Sequence, residues 1–297
     1  MRYLIYYLLF INIVTFIIYG VDKKKAEDHK WRIRESTLLG LAAIGGPVGA
    51  LLGMRIFHHK TKKKKFYITV PALIILWMIV IFLAYCLPYY HTVDAPLYQS
   101  DNTVQIIDER DYIFYDGPGK DKAMIFYPGA KVDEKAYEAL LYETAEEGID
   151  CFLVKMPFHI AFFGKNRADE IIENYSYKEW IMAGHSLGGA MASSYLKGHE
   201  DKFSGMIFLA SFASSDISDD SNLDVLSVYG SEDKVLKRGS YEAAKKWCPQ
   251  GSFTEKIIEG GNHSGFAYYG PQSGDGEATI SKQEQIDMTV DYILATF

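Results

Sequence analysis

The sequence predicts an α/β fold, a mainly parallel sheet with helices on both faces, preceded by an all-helical membrane domain. Three observations carry this expectation. From residue 103 onward, short apolar runs alternate with segments of helical spacing. One serine, Ser186, sits at a strand-to-helix junction within M-A-G-H-S-L-G-G-A, residues 182–190. The first 88 residues hold two long apolar runs and a charge balance opposite to that of the remainder.

The chain has 297 residues and is 48% hydrophobic, enough for one large domain and a smaller one. Residues 1–88 carry 13 Lys and Arg against 4 Asp and Glu, so the total of −7 leaves a strongly acidic residues 89–297. An acidic larger part argues against nucleic-acid binding, which relies on clustered Lys and Arg. Three cysteines cannot make a disulfide framework; Cys86, Cys151 and Cys248 read as buried or idle thiols.

Residues 3–19 are apolar except for Asn12 and Thr15, and residues 66–87 form a second run containing Pro71. Each approaches the ~20 residues that cross a bilayer as a helix. No A-x-A-like site follows the first run and its charges come after it, which argues against a cleaved signal peptide. Residues 38–54 are apolar but short, with Gly45, Gly46, Pro47 and Gly49 in the middle. Basic loops flank them, Lys23 to Arg34 on one side and Arg55 to Lys65 on the other. The positive-inside rule places both loops in the cytoplasm, which a full crossing between them forbids and a re-entrant segment allows. The expected organisation is a multi-pass helical membrane domain over 1–88, with spans near 3–19 and 66–87 and a re-entrant segment or third span near 38–54. A linker follows over 89–102, then an extracytoplasmic catalytic domain over 103–297. If the middle segment crosses, one basic loop lies outside and the domain can end on either side.

The stretches Y-G-V-D-K-K-K-A (19–26), W-R-I-R-E-S-T-L-L (31–39), G-G-P-V-G-A (45–50) and F-H-H-K-T (57–61) resemble a family of small bacterial membrane domains of unassigned function. His29, His58 and His59 lack a carboxylate or cysteine at ligand spacing, so no metal site is expected there.

In the larger part, strands are expected at 103–107, 112–115, 122–127, 151–155, 180–183, 206–210, 225–229 and 253–258. Helices are expected at 136–146, 187–197, 241–247 and 282–295. In a mainly parallel sheet the active site lies at the carboxyl ends of the strands. Gly184 and Gly188 flank Ser186 at the spacing that lets a chain turn sharply from strand to helix and present a serine at the tip. A base and an acid should follow the serine. Asp233 lies just past the strand ending at Tyr229, and His263 just past the strand ending near Ile258. His263 would take the serine's proton and return it to the leaving group, and Asp233 would fix the imidazole tautomer.

Competitors for the acid are the adjacent Glu232 and Asp216, Asp219, Asp220 and Asp224, which precede the strand or lie in a solvated run. His159, His185 and His199 come too early in the chain for the base and read as local packing or surface residues. Two backbone N–H groups should form an oxyanion hole: that of Leu187, and one from the turn in I-F-Y-P-G-A-K (125–131), with Ala130 first and Gly129 next.

Residues 125–290 are identified as resembling small, capless members of the alpha/beta-hydrolase family. The matching stretches are Y-P-G-A-K-V (127–132), V-K-M-P-F (154–158), A-G-H-S-L-G-G-A-M-A (183–192), Y-G-S-E-D (229–233), I-E-G-G-N-H-S-G-F (258–266) and Y-Y-G-P-Q-S-G-D-G-E-A-T-I-S (268–281). The resemblance implies a serine hydrolase with Ser186, Asp233 and His263 as its triad and no metal or cofactor. Family membership leaves the substrate open; the leading expectation is an ester or related small-molecule acyl compound, with lactones and peptides as alternatives and a non-catalytic role as a membrane binding or scaffold protein as another. Only residues 211–223 separate the strand after the serine from the strand before the acid, so no helical cap is expected. Cavity walls are expected from F-H-I-A-F-F (158–163) and F-A-Y-Y-G (266–270). The lipid bilayer is the other expected partner.

Overall fold

The computed structural model describes residues 2–219 and 222–297 and divides into two compact units, Met1–Leu87 and Pro88–Phe297.

Among the described residues, the first unit has four helices: α1 (Arg2–Glu27), α2 (Glu35–Ala43), α3 (Pro47–Ile56) and α4 (Lys64–Cys86). The glycine-rich middle segment is a hairpin of two short helices, α2 and α3, and not a single rod. Gly45 takes φ +123°, a left-handed conformation that favours glycine, and Pro47 opens α3 at a position needing no N–H donor. Asn12, one of the two polar interruptions of the first apolar run, clamps this break. Its Nδ2 donates to Gly45 O at 2.8 Å and its Oδ1 accepts from Gly49 N at 2.7 Å. A Cβ on Gly49 would lie 2.0 Å from Asn12 O, so the helix contact requires glycine.

The two basic loops lie at one end of this unit. Asp22, buried in α1, accepts from Ile33 N at 2.7 Å and pairs with His59 Nε2 at 2.7 Å. Sequence spacing hid this carboxylate partner, which lies 37 residues from His59. His59 is therefore a buried, paired side chain and not one of a loose group among surface lysines.

Among the described residues, the second unit is built on an eight-stranded sheet in the order β1-β2-β4-β3-β5-β6-β7-β8. Its strands are β1 (Gln105–Asp108), β2 (Tyr112–Asp116), β3 (Lys122–Tyr127), β4 (Asp150–Val154), β5 (Glu179–His185), β6 (Gly205–Leu209), β7 (Asp224–Gly230) and β8 (Phe253–Ile258). β1 and β2 pair antiparallel, as do β2 and β4; every other pairing is parallel. The helices are α5 (Glu138–Glu146), α6 (Ala168–Asn174), α7 (Leu187–Leu196), α8 (Arg238–Ala244) and α9 (Lys282–Thr296).

Strand alternation divides the core. On β5, Ile181 and Ala183 point to one layer with Leu140 of α5 and Ile286 of α9; Trp180 and Met182 point to the other with Ala192 of α7 and Ile171 of α6. The sheet is thus buried on both faces, which is why its central strands read as continuous apolar runs. Helix α6 is not expected from the sequence, since its seven residues, A-D-E-I-I-E-N, are too short to display a helical period.

Candidate active site

Ser186 occupies the turn from β5 into α7 with φ 52° and ψ −123°, a conformation rare for a residue with a side chain. The strain is tolerated because the neighbours are bare backbone. A Cβ on Gly184 would meet Gly189 N at 2.5 Å, and one on Gly188 would meet Tyr127 O at 2.1 Å. The turn is held by Ser186 N donating to Leu209 O (2.9 Å) and by Ser211 Oγ donating to Ser186 O (2.6 Å).

His263 and Asp233 follow β8 and β7 and meet at the carboxyl end of the sheet. His263 Nδ1 lies 2.9 Å from Asp233 Oδ2, and both side chains are buried. Asp233 Oδ1 accepts from Val235 N and Leu236 N, each at 2.8 Å, so the loop itself orients the carboxylate. Glu232 bonds to neighbouring Ser231, and Asp216 to Ser218; Asp220 lies outside the described residues. His263 is held from its main chain as well, since His263 N and Ser264 N donate to the Asp275 carboxylate.

With Nδ1 directed to a carboxylate, His263 Nε2 carries the lone pair. That atom is buried and, among the described residues, has no hydrogen-bond partner. Ser186 and His263 line the same cavity of about 360 Å³, with Leu187, Ala190, Ala210, Phe212, Val235 and Leu236 as apolar walls and Lys237 at the edge. The walls expected from residues 158–163 and 266–270 are not among its lining. Phe162 and Phe163 border a different depression, and Phe266 and Tyr269 are buried in the core. The loop after β7 and the segment after β6 thus line the serine's cavity, since β5, β6 and β7 are neighbours in the sheet.

Leu187 begins α7, where helix geometry leaves its N–H without an intrahelical acceptor. In the turn after β3, Gly129 N donates to Tyr137 Oη at 3.0 Å, which removes it as a free donor and leaves Ala130. Lys131 N donates to His159 O at 2.6 Å, tying this turn to the loop after β4. There Phe158 and His159 both take left-handed φ, 56° and 53°.

The sequence alone reads His185 as a packing or surface residue. It is 1% exposed and bonded on both ring nitrogens, to Tyr137 Oη and to the His263 carbonyl oxygen. Burial, reinforced by the neighbouring His263, holds it well below the ordinary imidazole range, so it is neutral. Adjacency to the serine was a signal that it sits at the site. Its partners, 48 and 78 residues away, were invisible in the sequence.

The described residues contain no group of three or more His, Cys, Asp or Glu side chains placed to hold a metal ion. Cys86, Cys151 and Cys248 are all buried free thiols.

The sequence pattern of the alpha/beta hydrolase family matches residues 123–287, more than half of the chain. That of a protein family of unknown function, DUF1294, matches residues 12–66. The uncharacterized protein YsdA of Bacillus subtilis is 44% identical over 79 residues, 27% of this chain and 89% of that protein.

Among solved structures, Est1E from Butyrivibrio proteoclasticus with ferulic acid bound superposes with a TM-score of 0.50 at 14% identity, covering 68% of this chain and 99% of that one. Carboxyl esterase 2 of Tuber melanosporum superposes with a TM-score of 0.50 at 11% identity, covering 70% and 91%. At such identities the likeness is one of fold. With its sheet order, its serine turn and the match over residues 123–287, the chain belongs to the alpha/beta hydrolase family, and its N-terminal region to the DUF1294 family.

Proposed function

We propose that the protein is a membrane-anchored serine hydrolase that cleaves a carboxylic ester or related acyl compound through an acyl-enzyme. The observation that carries this reading is His263 Nε2, a buried unpartnered nitrogen in the cavity that also holds Ser186, on a ring fixed from behind by Asp233. Ser186 Oγ attacks the carbonyl carbon while His263 Nε2 takes its proton, and the carbonyl electron pair moves onto oxygen. The N–H groups of Leu187 and Ala130 receive that oxyanion. Collapse of the adduct expels the alcohol, which leaves with the proton from His263. Water then attacks the acyl-enzyme by the same steps, releasing the acid and restoring Ser186. The apolar walls favour an acyl or alcohol part without charge at the reacting end.

Membrane anchoring is supported by α1 and α4, both long and strongly apolar, with exposed apolar side chains such as Phe10, Ile13, Ile75 and Met78. The 23 residues of α4 extend ~35 Å, enough for a hydrocarbon core of ~30 Å. Helices α2 and α3, of 9 and 10 residues, reach only ~15 Å each, so the pair enters and returns. With both basic loops at one end, the positive-inside rule puts that end in the cytoplasm and the hydrolase unit outside.

A fluorophosphonate probe should label the full-length protein in detergent, and Ser186→Ala should abolish both labelling and ester hydrolysis. A folded wild type that neither labels nor turns over any of a panel of acyl substrates overturns the enzymatic reading. Protease accessibility of the hydrolase unit in right-side-out vesicles tests the sidedness; protection there would reverse it.

A further inference from the structure

The ester mechanism leaves His185 and Tyr137 unused, yet both are fully enclosed and placed between two parts of the site. His185 Nε2 is 3.0 Å from the His263 carbonyl oxygen, His185 Nδ1 is 2.7 Å from Tyr137 Oη, and Tyr137 Oη is 3.0 Å from Gly129 N. Chemistry allows one order of donors along this chain. A carbonyl oxygen only accepts, so His185 Nε2 carries the hydrogen. The neutral ring then has its lone pair on Nδ1, which accepts from the Tyr137 hydroxyl. The phenol oxygen in turn accepts from the Gly129 N–H. Each of these groups is thereby satisfied by one fixed proton arrangement, with neither hydroxyl nor ring free to choose another.

The ends of the chain matter. One is the main chain of His263, whose ring is centred 4.7 Å from that of His185. The other is the residue before Ala130, in the turn that carries an oxyanion donor. The fit to Gly129 is close: a Cβ there would lie 2.7 Å from His185 Nδ1 and 2.8 Å from Tyr137 Oη. His185 also directly precedes Ser186 on a strand whose last residue is buried, so the three machine parts share one rigid junction.

We propose that Tyr137 and His185 are positioning residues, a buried hydrogen-bonded relay that fixes the Gly129–Ala130 turn against the His263 loop. It holds oxyanion donor and base at a set spacing around Ser186. The proposal rests on the serine-hydrolase reading. An oxyanion donor acts on charge that exists only in the transition state, so loosening its turn should lower kcat and leave KM nearly alone. A role in packing alone would instead lower the folded fraction and leave turnover per site intact.

The test uses the full-length protein in detergent, p-nitrophenyl butyrate as substrate, and exhaustive fluorophosphonate titration to count competent sites. Tyr137→Phe keeps the ring and removes Oη; kcat per titrated site should fall ~10–100-fold with KM within about threefold of wild type. His185→Leu should fall at least as far. His185→Gln, whose amide oxygen can accept and nitrogen donate in the same directions, should recover to within about fivefold of wild type. Normal turnover per titrated site in Tyr137→Phe and His185→Leu overturns the relay, as does a His185→Gln no better than His185→Leu. Ser186→Ala is run in the same series. If it retains activity the serine reading fails; if it is inactive while Tyr137→Phe is unimpaired, the relay alone fails.

Discussion

Replacing Asp233 by Asn changes one heavy atom and tests the proton logic of the site. Asp233 Oδ1 accepts from two backbone N–H groups, Val235 and Leu236, both at 2.8 Å. Only the oxygen of an asparagine amide can take that place, so the NH2 group must turn toward His263 Nδ1, 2.9 Å from the present Oδ2. An amide nitrogen donates, so His263 Nδ1 is forced to accept and its hydrogen moves to Nε2, the atom that should receive the proton of Ser186. The fold survives, because the backbone bonds and the shape are kept; the stability lost should be about 1–2 kcal/mol, the difference between a charged and a neutral acceptor. Turnover should fall ~10⁴-fold, as for a base held in the wrong tautomer, which corresponds to ~5.5 kcal/mol at 1.36 kcal/mol per decade. The assay is kcat for ester hydrolysis beside a thermal melt of the same preparation. A variant with kcat within tenfold of wild type, or a loss of activity matched by loss of folded protein, refutes this account of the site.

Gly188→Ala would put a Cβ 2.1 Å from Tyr127 O and 2.4 Å from Pro128 O, both backbone atoms. Helix α7 must then shift from the turn after β3, with an expected loss of about 1–3 kcal/mol and of most activity, read by thermal melt and ester turnover. His185 gives a pH signature. Its folded-state proton affinity is depressed, largely by burial, while the unfolded chain takes a proton near 6.5, so below that pH the unfolded state holds more protons. The stability this provides is complete above about pH 6.5 and drains away as pH falls toward the folded-state value, by at most about 1.4 kcal/mol per unit. His185→Gln should flatten that portion of the stability curve in parallel denaturant titrations; identical curves for the two proteins refute it. Burial pushes the Cys248 thiol up to about 12 and Cys151 well above the ordinary thiol range, so iodoacetamide at pH 8 should leave esterase activity intact and alkylate both residues only after unfolding, as mass spectrometry would report.

What could be read from the chain itself was whatever depends on short spacing. Gly184, Ser186 and Gly188 specify a strained turn within five residues, and the β3 limits, 122–127, follow from a bounded apolar run. The order of Ser186, Asp233 and His263 along the chain, each just beyond a strand, was enough to nominate residues that the structure gathers at one end of the sheet. The two apolar runs and the glycine break between them likewise announced two long helices and an interrupted middle.

Tertiary structure alone decided what depends on which strands become neighbours. Sequence order does not reveal that β3 lies between β4 and β5, and that order brings Val235, Leu236 and Phe212 over the serine while the expected aromatic walls go elsewhere. It likewise joins Asp22 to His59 and links Gly129, in the turn after β3, through Tyr137 and His185 to the His263 main chain. Backbone turns and strand periods are local properties of consecutive residues. A buried polar partner is selected by the need to satisfy a donor or acceptor wherever the fold brings one within about 3 Å, and no spacing along the chain encodes that meeting.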